Sequence, residues 1–227
     1  MSTPTLRERS RTEAKPARPP LHPRWTRQGA IEQTAHEFAA HTCTYWQSWV
    51  RSLSLPFESY WSGKARGLRK KILKRAWNED TGAFVGALDD PELDASVRRI
   101  AEIGLVPSRD PRFISTCDVV GRRLLRNGRI MRYTADDDFG APETAFLACN
   151  FWYIEALAAI GRRDEAHDFF TGLLECRNSF GLLSEDIHPQ TGALWGNFPQ
   201  SYSMAGIINA AMRLSEKWED VRCRVSS

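Results

Sequence analysis

Apolar residues occupy nearly every position between Glu143 and Ile160, so a helix formed by this stretch would be apolar on all sides. Such a helix must be covered from every direction by other parts of the protein. Gly161 is its expected C-cap. The next periodic stretch, Asp164 to Arg177, has its apolar residues on one face only. An enclosed helix followed by a one-faced helix predicts two concentric helical layers, an inner ring and an outer ring.

Further helices are predicted wherever apolar residues recur at spacings of three and four. This pattern covers residues 29–53, Lys64 to Arg75 and Leu93 to Leu105. Asp110 and Pro111 make a good N-cap and first-turn pair for another helix. The Asn127-Gly128 pair is expected to close that helix.

The last predicted helix begins at Pro199 and is rich in small residues, which allow two helices to approach each other closely. These small residues are Ser203, Ala205, Gly206, Ala210 and Ala211. No strand-like alternation extends beyond a few residues, so the predicted fold class is all-α. Residues 130–142 and 178–198 remain as two long polar loops, the kind of segment that carries function.

The cysteines and histidines do not form recognisable metal or cofactor motifs. Five widely spaced cysteines include no Cys-x-x-Cys pair, which argues against a zinc site or a disulfide framework and favours reduced thiols. His36 and His41 are five residues apart, not at the four-residue spacing of a zinc-binding helix. Because the chain also has no glycine-rich phosphate loop, we expect no metal and no cofactor.

The N-terminal residues 1–27 combine seven basic side chains with five prolines and few apolar residues. We interpret them as a disordered basic tail. Weak binding of RNA or an acidic lipid surface is the alternative to a merely solvated tail. The sequence shows no apolar signal core near its start and no stretch of roughly 18 apolar residues, so we expect a cytoplasmic protein.

Glu185 lies in the loop with the most specific sequence signal. Gly-Leu-Leu-Ser precedes this glutamate at residues 181–184, and Asp-Ile-His-Pro follows it at residues 186–189. A Gly-Asn-Phe-Pro-Gln run at residues 196–200 leads into the last helix. This order of motifs resembles the segment that bears the catalytic base in glycoside hydrolase family 15, the glucoamylases and trehalases. His188 departs from the pattern, because the family usually has aspartate there.

The resemblance continues along most of the chain from Trp77 to Leu214. The motifs similar to those of the family are WN at residues 77–78, GAF at 82–84, LDAS at 93–96, DPRF at 110–113 and ETAFLACNFW at 143–152. Near the N-terminus, Ser-Leu-Ser-Leu-Pro at residues 52–56 resembles the helix that connects the family's β-sandwich to its catalytic toroid.

The resemblance implies that Glu185 is the general base of an inverting α-glucosidase. Such an enzyme needs one carboxyl group to activate water and a second to protonate the leaving oxygen. Lys64 to Trp77 resembles a family segment that lies much later than the helix ending at Pro56. We therefore expect an internal deletion joined near residues 57–64, with loss of the segment that bears the general acid. No matching acid motif occurs in residues 1–75.

Five further residues are candidate contacts for a sugar: Arg132, Tyr133, Asp138, Glu143 and Trp195. In the family an Arg-Tyr pair in this loop lines the first sugar subsites, and the fork of an arginine suits pairs of hydroxyl groups. For Asp138, Glu143 and Trp195 a purely structural role is the alternative.

The whole sequence predicts an incomplete α/α toroid, part of an (α/α)6 barrel. Its expected divisions are the tail at residues 1–27, a linker-type helix at 28–62 and the partial toroid at 63–220. Uncovered inner helices predict marginal stability or self-association.

The functional hypothesis is inverting hydrolysis of a small or oligomeric α-glucoside, with weak or no activity from this chain. One alternative is a non-catalytic remnant that binds a glucan or a full-length partner. The other is an RNA-binding accessory that acts through the tail, although no specific nucleic acid and no membrane is expected as a partner.

Overall fold

A computed structural model of the chain describes residues 58–88, 91–136 and 140–215. The predicted tail and the helix predicted over residues 29–53 lie outside these residues, as does Asp138. The division expected at residues 62–63 falls inside the first described helix, Glu58–Arg75.

Helices make up most of the described part of the chain. They are α1 (Glu58–Arg75), a 3₁₀ helix (Ala95–Ile100), α2 (Pro111–Leu124), α3 (Leu147–Ala159), α4 (Arg163–Leu174) and α5 (Ser201–Ser215). The strands have two residues each: β1 (Trp77–Asn78), β2 (Ala83–Phe84), β3 (Leu125–Arg126), β4 (Arg129–Ile130), β5 (Ala145–Phe146), β6 (Asp186–Ile187) and β7 (Leu194–Trp195). They form the antiparallel pairs β1–β2 and β3–β4 and the three-stranded antiparallel sheet β5–β6–β7.

Helix α3 is covered by other parts of the protein on nearly every side, as expected for a helix that is apolar all round. Phe151, Ile154 and Leu157 are fully buried, and so are most of the other side chains of the helix. Each such side chain stabilises the fold by about 1.5–3 kcal/mol relative to full exposure. Helix α4 buries only Ala166 and Leu173 completely. The predicted alternation of an enclosed helix with a one-faced helix is therefore confirmed.

Helix α5 packs closely on α3 because Gly206 has no side chain. A Cβ atom built at Gly206 would lie 2.4 Å from Cδ2 of Phe151, inside the ring's van der Waals surface. Ser203 and Ala210, one turn away on either side, are also fully buried. Three of the five predicted small residues therefore allow the close approach, whereas Ala205 and Ala211 are exposed.

The start of α2 agrees with its prediction, but its end does not. An Asp110 side-chain oxygen accepts a hydrogen bond from the Arg112 backbone N–H at 2.9 Å, and Pro111 is the first helical residue. The prediction that Asn127 and Gly128 close the helix is wrong, because α2 ends at Leu124. The two residues have φ values of 46° and 73° and form the turn between β3 and β4. Asn-Gly favours such left-handed hairpin turns over helix ends when short strands can pair on both sides.

Five other predicted helices differ from the structure in their bounds. Helix α1 begins at Glu58 and not at Lys64, and α4 covers Arg163–Leu174 and not Asp164 to Arg177. Helix α3 begins at Leu147 and not at Glu143, because Ala145 and Phe146 pair with β6. The stripe at Leu93 to Leu105 forms only the short 3₁₀ helix. Helix α5 begins at Ser201, two residues after Pro199. At the start of α3, the pairing of Ala145 and Phe146 with a strand distant in sequence overrides the local helical periodicity.

Glu155 is a buried acid in the middle of α3, with 7% of its surface exposed. Burial raises the pKa of its carboxyl group to about 7. The charged groups that face it are Glu102, which raises this pKa further, and Arg213, Arg99 and Arg98, which lower it. Because the folded state binds the proton more tightly than the unfolded chain, the free energy of unfolding should fall as pH rises from about 4.5 to about 7.

Replacing Glu155 with glutamine should remove most of this pH dependence. At pH 8 the variant should be more stable than the wild type by up to about 3 kcal/mol, since one pKa unit corresponds to about 1.4 kcal/mol. Urea unfolding at pH 5 and pH 8 measures the difference. Glu175→Gln, at an exposed position just after α4, is the matched control and should leave the difference unchanged. An identical difference in wild type and Glu155→Gln would contradict the prediction.

Candidate active site

The two long loops meet at one end of the helical layers. The first loop runs from the C-terminal end of α2 to the N-terminal end of α3, and the second runs from the C-terminal end of α4 to the N-terminal end of α5. The first loop supplies β5 and the second supplies β6 and β7, and these three strands form one sheet. Residues that are far apart in sequence are thereby joined beside the N-terminal end of α3.

Asn150 holds the first loop at both of its ends. Its side-chain oxygen accepts a hydrogen bond from the Ile130 N–H at 2.7 Å, and its amide group donates to the Ile130 and Phe146 carbonyls, each at 3.0 Å. The side chain is fully buried, so these hydrogen bonds are shielded from water. Asn150 therefore fixes the points at which the loop leaves β4 and enters β5.

The backbone of Glu185 is fixed on both sides by hydrogen bonds. Its N–H donates to the Asn197 carbonyl at 2.9 Å, and its carbonyl accepts from the Leu147 N–H at 2.9 Å. The preceding residue, Ser184, is 1% exposed, and its carbonyl accepts a hydrogen bond from the Ser203 hydroxyl at 2.6 Å. Glu185 thus sits on a rigid support shared by α3, α5 and the sheet.

The carboxylate of Glu185 is held through one oxygen. Oε2 accepts hydrogen bonds from the Asn197 side-chain amide at 2.8 Å and from the Asn197 N–H at 3.2 Å. Gly196 lies against this carboxylate, and a Cβ atom there would be 3.0 Å from Oε2. Gly196 also has a φ of 77°, which favours glycine. The side chain is half-buried, and Oε1 makes no hydrogen bond to the described residues.

Asp186, which follows Glu185, and Trp195 are cross-strand partners in the three-stranded sheet. The Thr144 hydroxyl donates a hydrogen bond to the Asp186 carboxylate at 2.9 Å. Burial raises the pKa of Asp186, the Thr144 hydrogen bond lowers it, and the negative charge of Glu185 raises it further. Trp195 lies directly opposite Asp186 on β7 and is 53% exposed. Its ring is therefore an accessible flat surface on the same face of the sheet as Asp186.

Arg132 is anchored to the 3₁₀ helix. Its Nε atom lies 3.4 Å from the Asp94 carboxylate, which is almost fully buried, and its carbonyl accepts a hydrogen bond from the Ala95 N–H at 2.8 Å. Partial burial lowers the pKa of Arg132, but the charge and hydrogen bond of Asp94 together with Cys149 and Tyr133 outweigh this effect, and the net pKa is raised. About half of the Arg132 side chain remains exposed, so the guanidinium group can still contact a ligand.

The structure brings some of the predicted site residues together and leaves others apart. Glu185 immediately precedes β6 of the three-stranded sheet, Trp195 lies on β7 of the same sheet, and Glu143 is exposed two residues before β5. Within the described residues, Arg132 makes its ion pair with Asp94 and forms no hydrogen bond or ion pair with Glu185. Tyr133 is half-buried next to Arg132.

Three residues that shape the site were not among the sequence-based candidates: Asp94, Asn150 and Asn197. Asn197 stands in the Gly-Asn-Phe-Pro-Gln motif, and Asp94 stands in the Leu-Asp-Ala-Ser motif, so both could have been selected by their motifs. Asn150 is a polar residue within the apolar stretch of α3. A buried polar group must find hydrogen-bond partners. A single asparagine in an otherwise apolar helix could therefore have been recognised as a residue that binds another segment.

Other kinds of site find little support among residues 58–88, 91–136 and 140–215. Burial raises the pKa of both Cys117 and Cys149 to about 12, so neither thiol is a ready nucleophile. These residues hold no cluster of three or more histidine, cysteine, aspartate or glutamate side chains suited to a metal ion. None of the helices in this part of the chain has the length and apolar character needed to cross a bilayer.

Sequence comparison relates the chain to known glycosidases. Residues 30–212 match the sequence profile of Glycosyl hydrolases family 15. A trehalase from Thermoplasma volcanium is 33% identical over 165 residues, which are 72% of this chain and 26% of the relative. A trehalase from Mycolicibacterium smegmatis is 29% identical over 167 residues, which are 72% of this chain and 25% of the relative. The chain spans about a quarter of the length of these relatives.

Structural comparison leads to the same fold. A wild-type glycosidase superposes with a TM-score of 0.61 at 22% sequence identity, covering 70% of this chain and 45% of that chain. A glycosidase variant in complex with glucose superposes equally well at 20% identity and the same coverage. These neighbours are (α/α)6 barrels, which confirms the predicted fold class. Because the profile match extends over most of the sequence, this chain belongs to glycosyl hydrolase family 15.

Proposed function

We propose that this chain carries the water-activating part of an α-glucoside-hydrolysing site, with Glu185 as the general base. The observation that supports this assignment best is the geometry of the Glu185 carboxylate. Asn197 holds Oε2 through two hydrogen bonds, while the half-buried side chain leaves Oε1 without a protein partner in the described part. A fixed carboxylate with one unoccupied oxygen is suited to accept a proton from a water molecule.

In the proposed reaction, Oε1 of Glu185 takes a proton from water as the water oxygen bonds to the anomeric carbon. The bond from that carbon to the glycosidic oxygen breaks, and an acid delivers a proton to the leaving oxygen. Attack from the face opposite the leaving group inverts the configuration of the anomeric carbon. The carboxylate and the acid must therefore stand on opposite faces of the sugar, with room for the water between them.

The sugar itself would lie between the sheet and the first loop. Trp195 is exposed opposite Asp186 and can stack on the apolar face of a pyranose ring. Arg132, fixed by Asp94 and half-exposed, can donate hydrogen bonds to hydroxyl pairs, with Tyr133 beside it. Glu143 and Asp138 complete the set of proposed hydroxyl contacts.

The general acid is the component for which the sequence offers no candidate. Without one, protonation of the leaving oxygen depends on solvent, and hydrolysis should be slow. A sugar-binding protein without catalysis is therefore the second candidate function, and the exposed Trp195 opposite Asp186 favours it as well. We also propose that uncovered helix surfaces lead to self-association.

Trehalose is the first substrate to test, because both relatives named above are trehalases. We expect purified protein to bind trehalose or maltose in calorimetry and to release glucose slowly, as detected by a coupled assay. Arg132→Ala should weaken the binding, and Arg122→Ala, at an exposed position on the outer helix α2, is the matched control. Binding without release of glucose would support the second candidate function. Absence of binding to trehalose, maltose and starch would refute both.

A further inference from the structure

Arg98 is a cation in the protein interior that lacks a matching acid. Its side chain is almost fully buried, and within the described part of the chain its Nε and Nη1 atoms have no hydrogen-bond partner. Its Nη2 atom donates a hydrogen bond to the Cys149 carbonyl of α3, and the guanidinium group lies 5.0 Å from the centre of the Tyr153 ring. No carboxylate of the described residues forms an ion pair with Arg98. A buried charge that is only partly hydrogen-bonded lowers the free energy of unfolding.

The surroundings of Arg98 would suit an apolar side chain. Phe113 of α2 and Ala156 of α3 line the same small cavity as Arg98, and both are buried. The neighbouring Arg99, by contrast, is exposed and pairs with Glu102 at 3.2 Å. Replacing a buried charge with an apolar residue of similar volume often leaves stability unchanged or raises it. Packing alone therefore does not account for an arginine at position 98.

The hydrogen bond from Arg98 joins two elements of the candidate active site. At the start of the 3₁₀ helix, the Asp94 carboxylate lies 3.4 Å from Nε of Arg132, and the Ala95 N–H donates to the Arg132 carbonyl at 2.8 Å. Arg98 is one turn further along this helix and donates to α3. Helix α3 in turn supports the backbone of Glu185. The 3₁₀ helix therefore connects Arg132 with the element that supports Glu185.

We propose that Arg98 is a positioning residue, whose hydrogen bond to α3 fixes the 3₁₀ helix, and with it Arg132, relative to Glu185. The inference rests on the proposed role of Arg132 in sugar binding. Groups that serve a functional site are commonly retained although they lower stability. Arg98 thus contributes to sugar affinity through Arg132 and not through contact with the sugar.

Two substitutions separate this role from simple packing. In Arg98→Met the charge is lost at similar volume, so the midpoint of urea unfolding should equal that of the wild type or exceed it. The affinity for trehalose in calorimetry should nevertheless fall about fivefold, the equivalent of one average hydrogen bond. Arg98→Lys can still donate to the Cys149 carbonyl and should bind trehalose like the wild type, although the more strongly hydrated ammonium group should lower the midpoint. Arg122→Met, at an exposed position on α2, is the matched control and should change neither quantity.

The two variants should therefore rank in opposite orders of affinity and stability, which a merely structural residue would not produce. Hydrogen exchange of the Ala95 amide tests the inference without any sugar, because this N–H donates to the Arg132 carbonyl. We expect it to exchange about fivefold faster in Arg98→Met than in the wild type. The Phe84 amide, which donates to the Thr116 hydroxyl at 3.0 Å, should exchange no faster.

These measurements distinguish failure of the inference from failure of the proposed function. If the wild type binds no sugar, or if Arg132→Ala binds it as tightly as the wild type, the proposed role of Arg132 fails and the Ala95 exchange alone decides the inference. Equal exchange of the Ala95 amide in Arg98→Met and wild type would overturn it. So would an Arg98→Met protein that unfolds at lower urea concentration than the wild type, or one that keeps the wild-type affinity for trehalose.

Discussion

Replacing Glu185 with glutamine is expected to lower the rate of glucose release from trehalose by about 10²- to 10⁴-fold, the usual contribution of a general base. The amide oxygen of glutamine can still accept the two hydrogen bonds from Asn197, so the position of the side chain should be preserved. The amide cannot take a proton from water at neutral pH. The change therefore removes the proposed chemistry while leaving the surrounding structure in place.

The measurements for this variant are glucose release per mole of protein and the affinity for trehalose by calorimetry. We expect the affinity to change only a few-fold, because the proposed sugar contacts lie on other residues. Glu79→Gln, in the exposed turn between β1 and β2, is the matched control and should keep the wild-type rate. A Glu185→Gln protein that releases glucose as fast as the wild type would show that Glu185 is not the base.

Replacing Gly206 with valine should destabilise the protein by about 3 kcal/mol or more, at the upper end of the cost of overpacking a core. Even the first added carbon would lie 2.4 Å from Cδ2, 2.6 Å from Cγ and 2.9 Å from Cβ of Phe151. Phe151 is fully buried in α3, so its ring is surrounded by protein and can move only if its neighbours also move. The helices must therefore separate, which would also disturb the Ser203 hydrogen bond that supports the Glu185 segment.

The midpoint of urea unfolding measures this effect. Gly172→Ala is the matched control, because Gly172 also lies within a helix and the nearest atom to its added Cβ, Nη1 of Arg129, would be 3.9 Å away. That substitution should stabilise the protein slightly, since alanine favours helices over glycine by about 1 kcal/mol. Equal stability of Gly206→Val and wild type would mean that α5 does not pack on α3 as described.

The site was only partly predictable from the sequence. Glu185 could be selected because its neighbours on both sides form a recognisable motif. Asn197 stands in the same motif, but its role depends on the sheet that folds residues 194–195 back onto residues 186–187. Asp94 and Arg132 are 38 positions apart, and no periodicity connects them. Contacts of this kind follow from how loops pack, which local patterns do not encode.

By itself, the sequence determined the helical character, the enclosed and one-faced layers and the close packing of the last helix. These follow from periodicity and side-chain size, which act within a few residues of the chain. Only the tertiary structure decided that Ala145 and Phe146 are strand and not helix, that Asn127 turns a hairpin, and that Asn150 ties both ends of a loop. Each of these depends on a hydrogen-bonding partner from another segment, and the free energy of such a bond becomes available only when the segments are brought together.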